Sequence, residues 1–421
     1  MSKFLKLPSE FSNSNWSCVA SNKNTGSPIW VALADSGPYR VARSTDGVNW
    51  TIIQGLTPSV VNKTWTSVVF GSGRFVAVAN TGTDRMMTST DGITWTTVTA
   101  SAGGYTDGAF TSIAHNGTVF AVVQSGVATN AVFHSTTGTS GYTGTNAATV
   151  QAWNSIAYNG TAWVIVASDG ATTAQVNRNA NATPTGAWTA ATTGVTGTWQ
   201  SVINRGALFV AVANSGASNR AMISVNSGVD WTAQNGIPLV AWKNLASNDT
   251  NVVAVGQDGA QNTRIAFSAD GITWTTPAGN PNNSNSNIWA QVDSLGGTSN
   301  TYVAVSRSGG ERRILFTSDT FSTSIPVNDS YPRTRTDAPT YVDVSYVITA
   351  QEGSSTTVAL NVLTPNASFD SVTLTFGEDL TGATHEAILD AIVDANSAVS
   401  SPDGAYSFSL PENRTITATF A

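Results

Sequence analysis

The chain has 421 residues, a net charge of −7 and only 11% charged side chains, against 37 glycines and an abundance of Ser, Thr and Asn. That length suits a large repeat domain plus a smaller one, and the mixture is that of many short strands joined by tight turns. The acidic balance excludes nucleic acid and anionic membrane as expected partners, and the single cysteine, Cys18, excludes an intrachain disulfide.

The first eight residues, Met1-Ser2-Lys3-Phe4-Leu5-Lys6-Leu7-Pro8, lack an apolar stretch long enough for a signal peptide. No run of about 18 apolar residues follows anywhere, so a soluble, unsecreted protein is expected. A repeat then begins. Its clearest copy reads Trp65-Thr-Ser67-Val68, Gly73-Arg-Phe75-Val-Ala-Val-Ala79, Arg85 and Ser89-Thr-Asp91-Gly92-Ile-Thr-Trp95. Copies open at Trp16, Trp65, Phe110, Trp153, Trp199, Trp242 and Trp289, spaced by 49, 45, 43, 46, 43 and 47 residues. A period near 45 fits four strands plus turns, the size of a propeller blade.

Within each copy the opening Trp-x-Ser-Val segment predicts strand A. A β-branched and aromatic run such as Phe209-Val-Ala-Val-Ala213 or Tyr302-Val-Ala-Val-Ser306 predicts strand B. Residues 85–89 predict strand C and residues 95–98 strand D, joined by an Asp-Gly hairpin turn. The 13 tryptophans fall at equivalent places: six open strand A, five follow the C–D turn, and Trp30 and Trp163 stand in strand B where Phe75 and Phe209 do. Their expected role is to pack neighbouring blades together. The fold class expected is all-β: a seven-bladed β-propeller over residues 1–327 with a small C-terminal α+β domain.

Ser44-Thr-Asp46-Gly47-Val-Asn-Trp50, Ser89-Thr-Asp91-Gly92-Ile-Thr-Trp95 and Ser268-Ala-Asp270-Gly271-Ile-Thr-Trp274 resemble the Asp-box turns of sialidase-like propellers, shortened by the residue that usually separates Asp from Gly. Blade five has a softened copy, Ser224-Val-Asn226-Ser-Gly228-Val-Asp-Trp231, and blade seven a shorter one, Ser318-Asp319-Thr-Phe321, while blades three and four are expected to lack the turn. The same repeats, with their Gly/Asn/Thr-rich loops, also resemble propellers of bacteriophage virion and tail-associated proteins. That resemblance implies assembly in the host cytoplasm and a place in the virion.

Arg40, Arg85, Arg264 and Arg313 each lie six residues before Asp46, Asp91, Asp270 and Asp319, and Arg220 lies six before Asn226. A residue repeated in five blades is first a scaffold feature, expected to bond the backbone of a neighbouring blade. The same arginines mark the face from which the B–C and D–A loops emerge. There Asn80, Asp84, Asn219 and Asp258, beside Arg40, Arg85, Arg220, Arg264 and Arg313, make a candidate ligand surface suited to polyhydroxylated ligands such as glycans, although loops favour these residues for turn geometry alone.

Residues 328–339, with two prolines and two arginines, read as a linker. Beyond it, strands are expected at 342–348, 357–363, 372–376, 406–410 and 415–420, with one helix capped by Thr384 and carrying an apolar stripe of Ile388, Leu389, Ile392 and Val393. Residues 340–421 therefore suit a docking or oligomerisation domain.

No catalytic constellation emerges. The only histidines are His115, His134 and His385, and no Glu occurs between Phe11 and Glu311. No nucleophile–base pair, metal or cofactor site is suggested. The function expected is a non-enzymatic virion structural protein whose propeller faces outward for host-surface glycan recognition, as in tail or fibre adhesion. Its C-terminal domain would hold it to other virion proteins or to copies of itself. The alternatives are a purely structural capsid or tail decoration protein binding only virion proteins, and a sialidase-like glycoside hydrolase.

Overall fold

In a computed structural model the described residues are 2–5, 11, 13–215, 220–234, 236–248, 250–258, 264–276, 288–297, 299–308, 314–317, 343–349, 357–363, 369–374 and 418–419. The chain divides into two compact units, Met1–Ile325 and Pro326–Ala421.

In the first unit every repeat forms one antiparallel sheet, strand A innermost. Blade two is representative: Trp65–Gly71, Arg74–Ala79, Met86–Ser89 and Thr96–Val98 pair in that order. Each strand A carries a bulge just after its opening aromatic, as between Trp65 and Ser67 or Trp199 and Ser201. The bulge takes one residue per blade out of the regular ladder, and in blades one to four its side chain reaches the next blade.

The expected blade count needs correction: among the described residues there are six complete four-stranded blades, not seven. The sheet beginning at Trp242 has only three strands, Trp242–Ser247, Val252–Gly256 and Ile265–Ser268. Where its fourth strand would run, a single bridge joins Phe267 to Thr275. The sheet opened by Trp289 is completed from the other end of the chain. The N-terminal strand Ser2–Leu5 pairs with Ile314–Thr317, Ser2 opposite Thr317 and Leu5 opposite Ile314.

The core lies between blades. All 13 tryptophans are buried, the most exposed being Trp50 and Trp274 at 8%. Trp65, Phe75 and Trp95 of blade two pack on Val31, Leu33 and Val41 of blade one. Trp199, Phe209 and Trp231 pack in the same way on Val164, Val166 and Val176. Truncating one such aromatic to alanine would remove about 3–5 kcal/mol.

In the second unit, Asp343–Thr349, Thr357–Leu363 and Phe369–Leu374 form an antiparallel sheet, with Ala418–Thr419 pairing with the middle strand. The linker 328–339, the helix expected after Thr384, His385 and the strand expected at 406–410 lie outside the described residues.

Candidate functional site

The repeated arginines brace the loop face. The Arg40 guanidinium donates to the carbonyls of Ala34 and Lys63, each at 3.3 Å. Arg220 makes the equivalent pair of bonds, to Asn214 and, at 2.9 Å, to Val240. Lys63 and Val240 both stand two residues before the tryptophan that opens the next blade, so each arginine ties its own B–C loop to its neighbour. In blade four Gln175 holds this place and donates to Gly197, two residues before Trp199, at 2.7 Å. Arg85 departs from the pattern and donates to Gly82 within its own loop at 2.7 Å. Arg264 is half-buried and also engaged.

The polar partners chosen with these arginines serve the same loops. Asp84 accepts from the Ala100 N–H at 2.7 Å, and Asp258 accepts from Ala241 N–H. Asn80 is half-buried, with an Oδ1 that finds no partner. Arg313 and Asn219 lie outside the described residues. The bonds of Arg40, Arg85 and Arg220 run to backbone carbonyls of the same or the next blade. The inter-blade brace recurs at Arg40, Gln175 and Arg220, in separate blades, and these three do not converge on one pocket.

The Asp-Gly turns are equally structural. Ser89 donates to Asp91 at 2.9 Å and accepts from Gly92 N–H at 2.8 Å, Asp91 accepts from the N–H of Ile93 and Thr94 at 2.8 Å each, and Trp95 Nε1 closes on the Gly92 carbonyl at 3.2 Å. Burial would raise the Asp91 carboxyl, but these N–H and hydroxyl donors outweigh it and hold it below its ordinary value. Blade three, expected to lack the turn, has a version of it. Ser135 accepts from Gly138 N–H at 3.2 Å, Thr137 takes the place of Asp, and the Tyr142 hydroxyl reaches the Gly138 carbonyl at 3.3 Å. Two of the turns are also latched to the preceding blade: Arg43 Nε donates to the Asp91 carbonyl at 2.9 Å and Arg178 Nε to that of Ser227 at 2.6 Å.

Around the axis, the side chains freed by the bulges form a belt. Ser17 donates to Trp65 O at 2.7 Å, Thr66 to Phe110 O at 2.9 Å, Thr111 to Trp153 O at 2.9 Å and Asn154 to Trp199 O at 2.8 Å. The next strand A position adds a second belt: Ser155 accepts from Val202 N–H at 3.1 Å, Asn244 from Val292 N–H at 3.0 Å and Gln291 from Val19 N–H at 3.2 Å. The last of these crosses the seam and closes the ring.

No family model matches the chain, and no curated protein matches it. Among solved structures it is similar to YCF48 bound to D1 peptide, with a TM-score of 0.55 at 12% identity over 76% of this chain and 97% of that one. It is also similar to YCF48 from Cyanidioschyzon merolae (0.53, 12%, 75% and 97%) and to the hydrazine synthase of Kuenenia stuttgartiensis (0.50, 10%, 73% and 96%). The fold is a β-propeller. At such identities the likeness extends to the fold alone.

One region of the propeller breaks the repetition. At the loop-face end of the axis, between blades six, seven and one, Lys243 Nζ donates to Gln200 Oε1 at 2.8 Å and Arg307 pairs with Asp35 at 2.8 Å. Burial, and secondarily the Arg307 charge, push the Lys243 ammonium down to about 8. Ile288 and Leu239 are exposed at 39% and 60%, and Ile288 O accepts the Arg307 N–H at 3.0 Å. None of these residues is singled out by the sequence reading. The available signal is that Lys243 is the sole charged residue at the position following each opening aromatic.

The two described histidines, His115 and His134, sit apart from this region. The imidazole of His115 meets the Ser72 hydroxyl at 3.2 Å and packs against Phe120, while His134 is buried in strand C of blade three. Burial lowers the pKa of both.

Proposed function

We propose that this chain is a non-catalytic recognition module that offers the loop face of a rigid propeller to a protein partner. The observation that carries this reading is the asymmetric region at the axial mouth, where Lys243, Arg307 and Asp35 gather and the exposed Ile288 is bonded to Arg307 through the backbone. An exposed apolar residue beside a charged centre suits a polypeptide, which offers apolar side chains and charges together. The similar chain YCF48, bound to D1 peptide, is a precedent at the level of fold.

The glycan reading has less support, because the guanidinium groups of Arg40, Arg85 and Arg220 already donate to backbone carbonyls. A place in a virion, with the unit Pro326–Ala421 as the attachment part, belongs to the same proposal on the resemblance of the repeats.

Peptide and glycan arrays probed with the full chain test the reading. Peptide binding should be lost in Leu239→Asp/Ile288→Asp and kept in Ile93→Asp, which alters an exposed residue of the opposite face. Selective glycan binding that is abolished by Arg40→Ala and indifferent to Leu239→Asp would overturn it. Release of sugar from a host polysaccharide would replace it with the hydrolase.

A further inference from the structure

Resting on that recognition reading, we infer that the axial mouth between blades six, seven and one is a carboxylate-binding site for an acidic peptide segment, with Lys243 receiving the carboxylate and Leu239 and Ile288 the neighbouring apolar residues.

The inference starts from the belt around the axis. In blades one to four the residue after the opening aromatic donates to the next blade's backbone, through Ser17, Thr66, Thr111 and Asn154. In blade six that residue is Lys243, which turns back to the neutral Oε1 of Gln200 instead of reaching forward. In blade seven it is Ala290, whose methyl group can neither donate nor accept. The polar belt is therefore interrupted beside a largely buried ammonium. An ammonium has three N–H donors, and among the described residues this one has a single acceptor and no carboxylate. A buried charge without a counter-charge is costly, so an anion that enters the site gains what the protein leaves unsupplied.

The surrounding charges favour the same sign of ligand. Asp35 is paired with Arg307 and also acts on the Arg40 guanidinium, so one carboxylate serves two guanidinium groups, of which Arg307 acts on Lys243. The Arg307 side chain is 38% exposed, against 12% for Asp35, so the pair presents its cationic side to solvent. This excess of positive charge stands out on a chain of net charge −7. The apolar flank then selects among anions. Ile288 is joined to Arg307 through the backbone bond of 3.0 Å, and Leu239 precedes Val240, the residue that receives Arg220. A peptide with Asp or Glu next to an aliphatic residue matches both features.

The test is selection of random heptapeptides on the immobilised full chain, followed by fluorescence anisotropy with the selected peptides as probes. Wild-type protein should enrich peptides carrying Asp or Glu beside Leu, Ile or Val. Lys243→Met, and Asp→Asn or Glu→Gln in the peptide, should each weaken binding at least about thirtyfold. Acetate should compete more effectively than inorganic phosphate. Selected peptides without acidic enrichment, or equal affinity for Lys243→Met, would overturn the carboxylate site and leave the recognition reading standing. Stronger competition by phosphate than by acetate would also overturn it. Failure to select any peptide would overturn both.

Discussion

Gly92→Ala tests whether the Asp-Gly turns latch one blade to the next. Gly92 has φ +74°, and a Cβ built on it would lie 2.8 Å from Val31 Cγ2 of the preceding blade. Gly73 has nearly the same backbone, φ +75°, but nothing within 4 Å of its Cβ position. A non-glycine residue in the left-handed region costs about 1–2 kcal/mol, and overpacking a close contact adds about 1–3 kcal/mol. Gly73→Ala should therefore cost about 1–2 kcal/mol and Gly92→Ala about 3 kcal/mol. Across a unit of 325 residues, an unfolding entropy of ~2.1 cal/mol/K per residue gives a midpoint shift of about 4 °C for 3 kcal/mol. Differential scanning calorimetry of both variants reads the difference. In a Val31→Ala background, which removes the obstructing methyl, Gly92→Ala should cost no more than Gly73→Ala. Equal losses for the two glycines in the wild-type background, or strict additivity with Val31→Ala, would refute the latch.

Arg220→Ala should lower stability by about 2–4 kcal/mol, since two charge-assisted bonds to buried loop carbonyls are lost, and urea unfolding checks it. Lys243 has a folded pKa near 8 against 10.5 when unfolded, so its charged form disfavours folding fully below pH 8, and stability should rise between pH 8 and 10.5. Lys243→Met should stabilise the protein at pH 7 and flatten that rise in pH-resolved melting curves. Cys18 is fully buried with its thiol pushed up to about 12, chiefly by burial. It should therefore resist a thiol reagent at pH 8 in the native state and react on unfolding, and prompt native labelling would contradict the burial. Deleting residues 2–5 removes the strand paired with Ile314–Thr317 and should raise hydrogen exchange in Tyr302–Ser306 and Ile314–Thr317 far more than in Phe75–Ala79.

The repeat and its strand order were legible because large residues recur at fixed spacing and Asp-Gly marks a hairpin. The fate of the tryptophans was legible for the same reason. The turn in blade three was hidden because Thr137 and Tyr142 replace Asp and Trp while donating and accepting at the same places. Gln175 escaped notice because an amide can take over a guanidinium's bond to a carbonyl. That the sheet opened by Trp242 has three strands among the described residues turns on pairing after Trp274, which a local pattern of Trp-Thr-Thr does not decide. The face was readable from topology, and the scaffold role of the arginines from their repetition. The axial mouth was not, because Lys243, Arg307 and Asp35 come from blades far apart in sequence and meet only when the ring closes.

That closure has a bearing on biogenesis. Ser2–Leu5 is made more than 300 residues before Ile314–Thr317, the strand it pairs with, so it must wait for its partner during synthesis. Joining ends so distant carries a chain-entropy penalty of several kcal/mol. Until it is met, a growing chain would hold an arc of finished sheets with two uncovered flanks, the species most prone to associate with a copy of itself.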